Sequence, residues 1–128
     1  MTRIFILISG VFGGLSVAAG AFASHALKAQ LSANYLAIFE TGARYQMYHA
    51  LALLLVALLL DRTETTAAAS PALVAAGFSY IIGVAIFSGS LYALSLTGIK
   101  WLGAITPLGG SVLISGWGCL ALAGWNFK

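Results

Sequence analysis

The chain has 128 residues, of which 61% are hydrophobic and only 7% charged, with a formal net charge of +3. A soluble domain carries about 25% charged residues, so this composition excludes a water-covered surface; with a mean hydropathy of +1.01 the chain reads as an integral membrane protein. The positive charge is too small and scattered for nucleic acid and fits lipid headgroups, and a single cysteine, Cys119, excludes an internal disulfide.

The first predicted element is an uncharged, glycine-rich span over residues 4–23. Arg3, an apolar core and Ala21-Phe22-Ala23 also make the outline of a secretory signal peptide. The apolar run is longer than a signal core, however, and Gly10, Gly14 and Ala18 recur every four residues, the spacing that lets membrane helices approach closely. A retained span is therefore expected, with this stripe packed on another helix and a loss of stability in Gly14→Leu. His25 and Lys28 stand where the span exits. His25 suits a capping or headgroup-facing role. Neither His25 nor His49 has a Cys or acidic partner at metal-ligand spacing, so no metal and no cofactor are expected.

The connection "SHALKAQLSANYLAIFETGARYQ" places Leu31, Tyr35, Ile38, Phe39 and Gly42 at helical spacing. It is expected to form a short interfacial helix, capped by Ser32, that bends into the second span.

The second span ends at Asp61-Arg62. Its purely apolar part, Met47–Leu60, is 14 residues, or about 21 Å of helix, against a hydrocarbon core of about 30 Å. The span must reach back to residue 41, which carries Arg44, Tyr45, Gln46 and His49 into the membrane. Spacings of three and four bring together Glu40 with Arg44, Arg44 with Tyr48, Tyr45 with His49 and Gln46 with His49. Two readings follow. In one, Glu40 and Arg44 form an interfacial ion pair, Tyr45 and Tyr48 belong to the aromatic belt, and Gln46 and His49 bond to neighbouring helices. In the other, His49, Gln46 and Arg44, with His25, Tyr45, Ser88, Ser90, Tyr92 and Thr106 as further candidates, line a polar pocket for a small ligand, a lipid headgroup or a proton. In both, Gln46 and His49 point inward, towards Ser90, Tyr92 and Thr106. A side-chain hydrogen bond between membrane helices contributes about 0.6 kcal/mol, up to about 1.7. A charge at that depth costs at least about 2.5–3.5 kcal/mol. His49 is therefore expected to be neutral at pH 7.

After the polar loop "TETTAAAS", Pro71 opens a third span over residues 72–96, which contains Ser88, Gly89, Ser90 and Tyr92. The fourth span covers residues 101–125 and contains Thr106, Pro107 and Gly110. Pro107 inside it is expected to free the Gly103 carbonyl and kink the helix. Gly89, Pro107 and Gly110 join Gly10, Gly14 and Ala18 as expected packing positions. Trp101 and Trp125 mark two interfaces, and Trp117 between them is expected to pack. The whole reads as one transmembrane domain, residues 1–128: an all-α, antiparallel four-helix membrane bundle with both termini on one side. That side carries Arg3, Arg62 and Lys128. The other carries Lys28 and Lys100, with Arg44 discounted as paired. The balance places both termini in the cytoplasm.

The stretches "GAFASHALK", "ARYQMYHALALL", "FSGSLYALSLTG" and "TPLGG" followed by "GW", in that order, resemble the YgdD-like family of small four-helix membrane proteins. That family shows "GAFGAH" where this chain has "GAFASH", a departure at Ala23 and Ser24. The resemblance implies a bacterial inner-membrane or related organelle location and a retained first helix, and it supplies no activity. It marks His25, Tyr45, Gln46, His49, Ser88, Gly89, Ser90, Thr106 and Pro107 as positions of interest.

No nucleophile–base pair, phosphate loop or metal cluster is visible, so an enzyme is not expected. The first functional reading is an accessory or interaction protein whose Gly/Ser-rich faces dock another membrane protein or a second copy. The alternative is a binding or transport module for a small polar ligand, lipid or proton, centred on His49. A dry bundle with small residues exposed on one outer face favours the former, and a water-filled pocket at His49 the latter.

Overall fold

The computed structural model describes residues 1–64 and 70–127. Lys128, counted in the orientation balance, and residues 65–69 of the polar loop lie outside them. Four helices run through the described residues: α1 (Thr2–His25), α2 (Ala33–Glu64), α3 (Pro71–Thr97) and α4 (Thr106–Trp125). Each is long and apolar enough to cross a membrane. In lipid, helix is the form that satisfies every backbone group within its own segment.

The helices pack in chain order, α1 on α2, α2 on α3 and α3 on α4. The path is antiparallel throughout. Between α3 and α4, Phe87 meets Gly109, Gly83 meets Leu113 and Tyr80 meets Gly116. The two middle helices hold the core, in which Leu53, Val56, Leu60, Leu73, Ala76 and Tyr80 are buried. The flanking helices α1 and α4 keep most of their side chains on the outside. One α1 residue crosses to α3: Phe5 packs against Gly77 and edge-on against Phe78, with ring centroids 5.3 Å apart.

Three expectations are corrected. The interfacial helix is not separate. A single 3₁₀ turn, Leu27–Ala29, follows α1, and α2 then runs 32 residues without a break, about 48 Å, because nothing between Ala33 and Thr41 interrupts a helix. Pro107 does not kink a span: Lys100–Ala104 forms a 3₁₀ turn and α4 begins at Thr106, which places Pro107 in its first turn. There the missing N–H removes no helical bond. Finally, the expected packing stripe faces the wrong way. Gly10, Gly14 and Ala18 are exposed, and a Cβ added at Gly10 or Gly14 would meet nothing within 4 Å. Gly89 and Pro107 also face outward, while Gly110 lies in ordinary contact with Phe87. The close approaches belong to other glycines: Gly42 at Tyr92, Gly77 at Phe5, Gly83 at Leu113, Gly109 at the Phe87 backbone and Gly116 at Tyr80. Small residues permit close packing on whichever face the bulkier neighbours choose. On α1 that face is set by Phe5, Phe12 and Ser16, on the opposite side from Gly14.

Gly98 ends α3 with φ of 70°, and its N–H donates to the Leu94 carbonyl at 2.8 Å. This left-handed cap, which glycine adopts without a Cβ penalty, turns the chain directly into the 3₁₀ turn before α4.

Candidate functional site

The buried stripe of α2 runs Phe39, Gly42–Ala43, Gln46, His49–Ala50, Leu53, Val56–Ala57 and Leu60, the three-and-four spacing of one helix face. Two of its positions, Gln46 and His49, are polar, each only 5% exposed. In hydrocarbon such groups must find protein partners or water, and here they find protein.

Gln46 joins three helices. Its Nε2 donates to the Phe12 carbonyl of α1 at 2.8 Å, and its Oε1 accepts from the Tyr92 hydroxyl of α3 at 2.7 Å. One turn earlier, two consecutive carbonyls of α2 each accept a hydroxyl from outside the helix. Ser16 of α1 donates to Ala43 at 2.6 Å, and Ser88 of α3 donates to Gly42 at 2.8 Å. A carbonyl has two lone pairs, so these bonds add to the helical ones.

His49 is held at both ring nitrogens. Nδ1 lies 2.7 Å from the Tyr45 carbonyl, and Nε2 lies 3.1 Å from Nε1 of Trp117 on α4. A carbonyl only accepts and an indole N–H only donates. The partners therefore define one form of the ring: neutral, with the proton on Nδ1. Tyr80 packs against both members, its ring centroid 5.5 Å from His49 and 5.3 Å from Trp117. It is fully buried, and its hydroxyl has no hydrogen-bond partner.

The remaining residues separate into those joined to this polar belt and those outside it. Ser90 and Thr106 meet each other at 2.6 Å across α3 and α4 rather than meeting His49. Tyr45 is half-exposed, with its ring against Phe87 and Tyr48. His25, the last residue of α1, is exposed and takes no part. Glu40 and Arg44 form no ion pair with each other, and both line an outer groove instead. No group of three His, Cys, Asp or Glu gathers anywhere among the described residues. The partner that sequence reasoning missed is Trp117. Its signal was available, since a mid-span indole N–H needs an acceptor and His49 is the deepest imidazole.

Three shallow grooves among the described residues flank these contacts. One, about 410 Å³, lies between α1 and α2 and is lined by Ser16, Gly20, Ser24, Glu40 and Arg44 among others. A second, about 480 Å³ and almost wholly apolar, has Gln46 and Tyr92 among its walls. The third, about 380 Å³, is lined by Tyr45, His49, Phe87 and Trp117, with α4 side chains.

Four apolar helices and a protein-satisfied polar belt define a multi-pass helical membrane protein. The chain belongs to the family described as "Protein of unknown function (DUF423)", whose model matches residues 19–110. It is 40% identical over 121 residues to the UPF0382 membrane protein YwdK of Bacillus subtilis, covering 94% of this chain and 95% of that one. It is 38% identical over 125 residues to a UPF0382 membrane protein of Staphylococcus haemolyticus, covering 98% of each. A UPF0382 membrane protein of Staphylococcus epidermidis is 39% identical over 125 residues, also at 98% of each. No solved structure matches the chain.

Proposed function

We propose that this is a non-enzymatic accessory protein that works by docking within the bilayer, through the outer face of α1 against the same face of a second copy. The observation that carries the reading is the outward stripe Gly10, Gly14 and Ala18, where an added Cβ at either glycine meets open space. Lipid tails pack on leucine as well as on glycine. Another helix gains from the flat stripe, because its backbone approaches more closely there. A second copy fits because an identical stripe is self-complementary about a twofold axis. The face carries no charge between Ile4 and Ser24, so pairing buries none. The likeness to YgdD-like proteins, an inner-membrane location and cytoplasmic termini belong to the same reading.

The alternative, a ligand or proton module centred on His49, has less support, since protein groups already occupy both ring nitrogens. The test is energy transfer between two separately labelled pools of the full chain, mixed in phosphatidylethanolamine/phosphatidylglycerol vesicles. Transfer that survives dilution into excess lipid is expected, and Gly14→Leu abolishes it. Gly118→Leu on α4, where a Cβ also meets nothing within 4 Å, leaves it intact. Transfer that is absent, or indifferent to Gly14→Leu, refutes self-docking on α1.

A further inference from the structure

The geometry points to a phospholipid headgroup site on the α1–α2 flank, with Arg44 receiving the phosphate and Glu40 the ammonium of a phosphatidylethanolamine. The site goes beyond the docking reading, since its groove lies to one side of the Gly10–Gly14 stripe.

Depth supplies the first argument. Glu40 stands 21 residues before Asp61 on the same unbroken helix, about 32 Å, which is the thickness of the hydrocarbon core. If Asp61 marks one boundary, Glu40 marks the other and Arg44 sits one turn inside it. A guanidinium there is costly unless a counter-charge reaches it. The obvious one, Glu40, sits one turn away and is not paired with it. Arg44 is exposed on the lipid-facing flank, where the available anion is the phosphate of the adjoining leaflet. A guanidinium fork binds phosphate with two parallel hydrogen bonds.

The second argument is the shape of the groove. Glu40 and Arg44 line the same hollow of about 410 Å³, whose opposite wall is Ser16, Val17, Gly20 and Ser24 of α1. No bulky side chain fills it at headgroup height, and a Cβ added at Gly20 would meet nothing within 4 Å. The third argument is charge order. Glu40 lies one turn outward of Arg44, on its headgroup side. It attracts a terminal ammonium and repels an anionic headgroup, so an ethanolamine lipid is preferred over a glycerol one.

The test is native mass spectrometry of the full chain, delipidated in detergent and titrated with phosphatidylethanolamine or phosphatidylglycerol of matched chains. One phosphatidylethanolamine is expected to bind more tightly than phosphatidylglycerol. Arg44→Gln weakens both roughly tenfold, the scale of a lost charge-assisted bond. Glu40→Gln keeps binding but reverses the preference. Gly20→Leu, whose Cβ meets nothing within 4 Å and whose side chain enters the groove, lowers occupancy as Arg44→Gln does. Equal binding of the two lipids by the unaltered chain, or undiminished binding in Arg44→Gln and Gly20→Leu, overturns the site. Neither substitution touches the Gly14 face, so failure here leaves the energy-transfer result standing, and the reverse also holds.

Discussion

Trp117 donates its indole N–H to Nε2 of His49 across 3.1 Å, tying α4 to α2 although those helices share no principal packing face. The same bond fixes where the imidazole proton sits, because a ring protonated at Nε2 would set one N–H against another.

The first prediction concerns that proton. In lipid at pH 7, ¹⁵N NMR of His49 is expected to show one neutral form, protonated at Nδ1 and bare at Nε2. Observation of an imidazolium, or of an Nε2–H ring, would show that the Trp117 bond is not made.

The strength of the pair is a separate matter. A double-mutant cycle of His49→Leu and Trp117→Phe, read by unfolding in detergent, is expected to give a coupling of about 0.6–1.7 kcal/mol. His49→Gln is expected to fold close to normally, since an amide can both accept from Trp117 and donate to the Tyr45 carbonyl. A coupling near zero would reduce the contact to simple packing.

Gln46 offers a sharper contrast. Gln46→Leu strands the Tyr92 hydroxyl, and an orphaned buried hydroxyl costs about 1–3 kcal/mol. Adding Tyr92→Phe removes the orphan. The double variant is expected to be more stable than Gln46→Leu alone, an inversion that thermal melts in detergent detect directly.

Glycine substitutions should sort by contact and not by motif. A Cβ at Gly109 would lie 2.8 Å from Cα of Phe87, a backbone atom that cannot step aside. Gly109→Ala is expected to cost about 1–3 kcal/mol. Gly118→Ala, facing open space, is expected to be neutral or to gain up to about 1 kcal/mol from helix propensity. Gly14→Leu should leave the melting curve of the single chain unchanged, contrary to the sequence-based expectation.

Topology is tested by reporter fusions. Four antiparallel spans place Ser70 and the C-terminus on one side of the membrane, and opposite signals would break the four-span path.

What the sequence makes legible, and what it leaves open, has a physical basis. Hydropathy depends on composition along the chain, so the four helices were readable without knowing their neighbours. The inward turn of the Gln46–His49 face was also arguable, because lipid has nothing to offer an amide or an imidazole. Partner choice was readable only in part: Tyr92, one of the expected partners, does bond Gln46. Ser90 was expected beside His49 and instead meets Thr106, because the offset between α3 and α4 is set by Gly83, Gly109 and Gly116 meeting Leu113, Phe87 and Tyr80. The α1 stripe misled for a related reason. Four-residue spacing says that a flat face exists, and the side it meets is decided by Phe5 reaching Gly77. The Glu40–Arg44 pair is not made because helical spacing makes such a contact available without enforcing it, and both side chains line an open groove.

The two hydroxyls that grip α2 from opposite flanks, Ser16 on Ala43 and Ser88 on Gly42, act as a torsional lock. Turning α2 about its own axis would pull one carbonyl from α1 and the next from α3 together, with no replacement donors in the surrounding hydrocarbon. The low-cost motion left to this molecule is therefore a swing of its outer helices about a centre that does not spin, and any partner seated on α1 would be felt as tilt and not as twist.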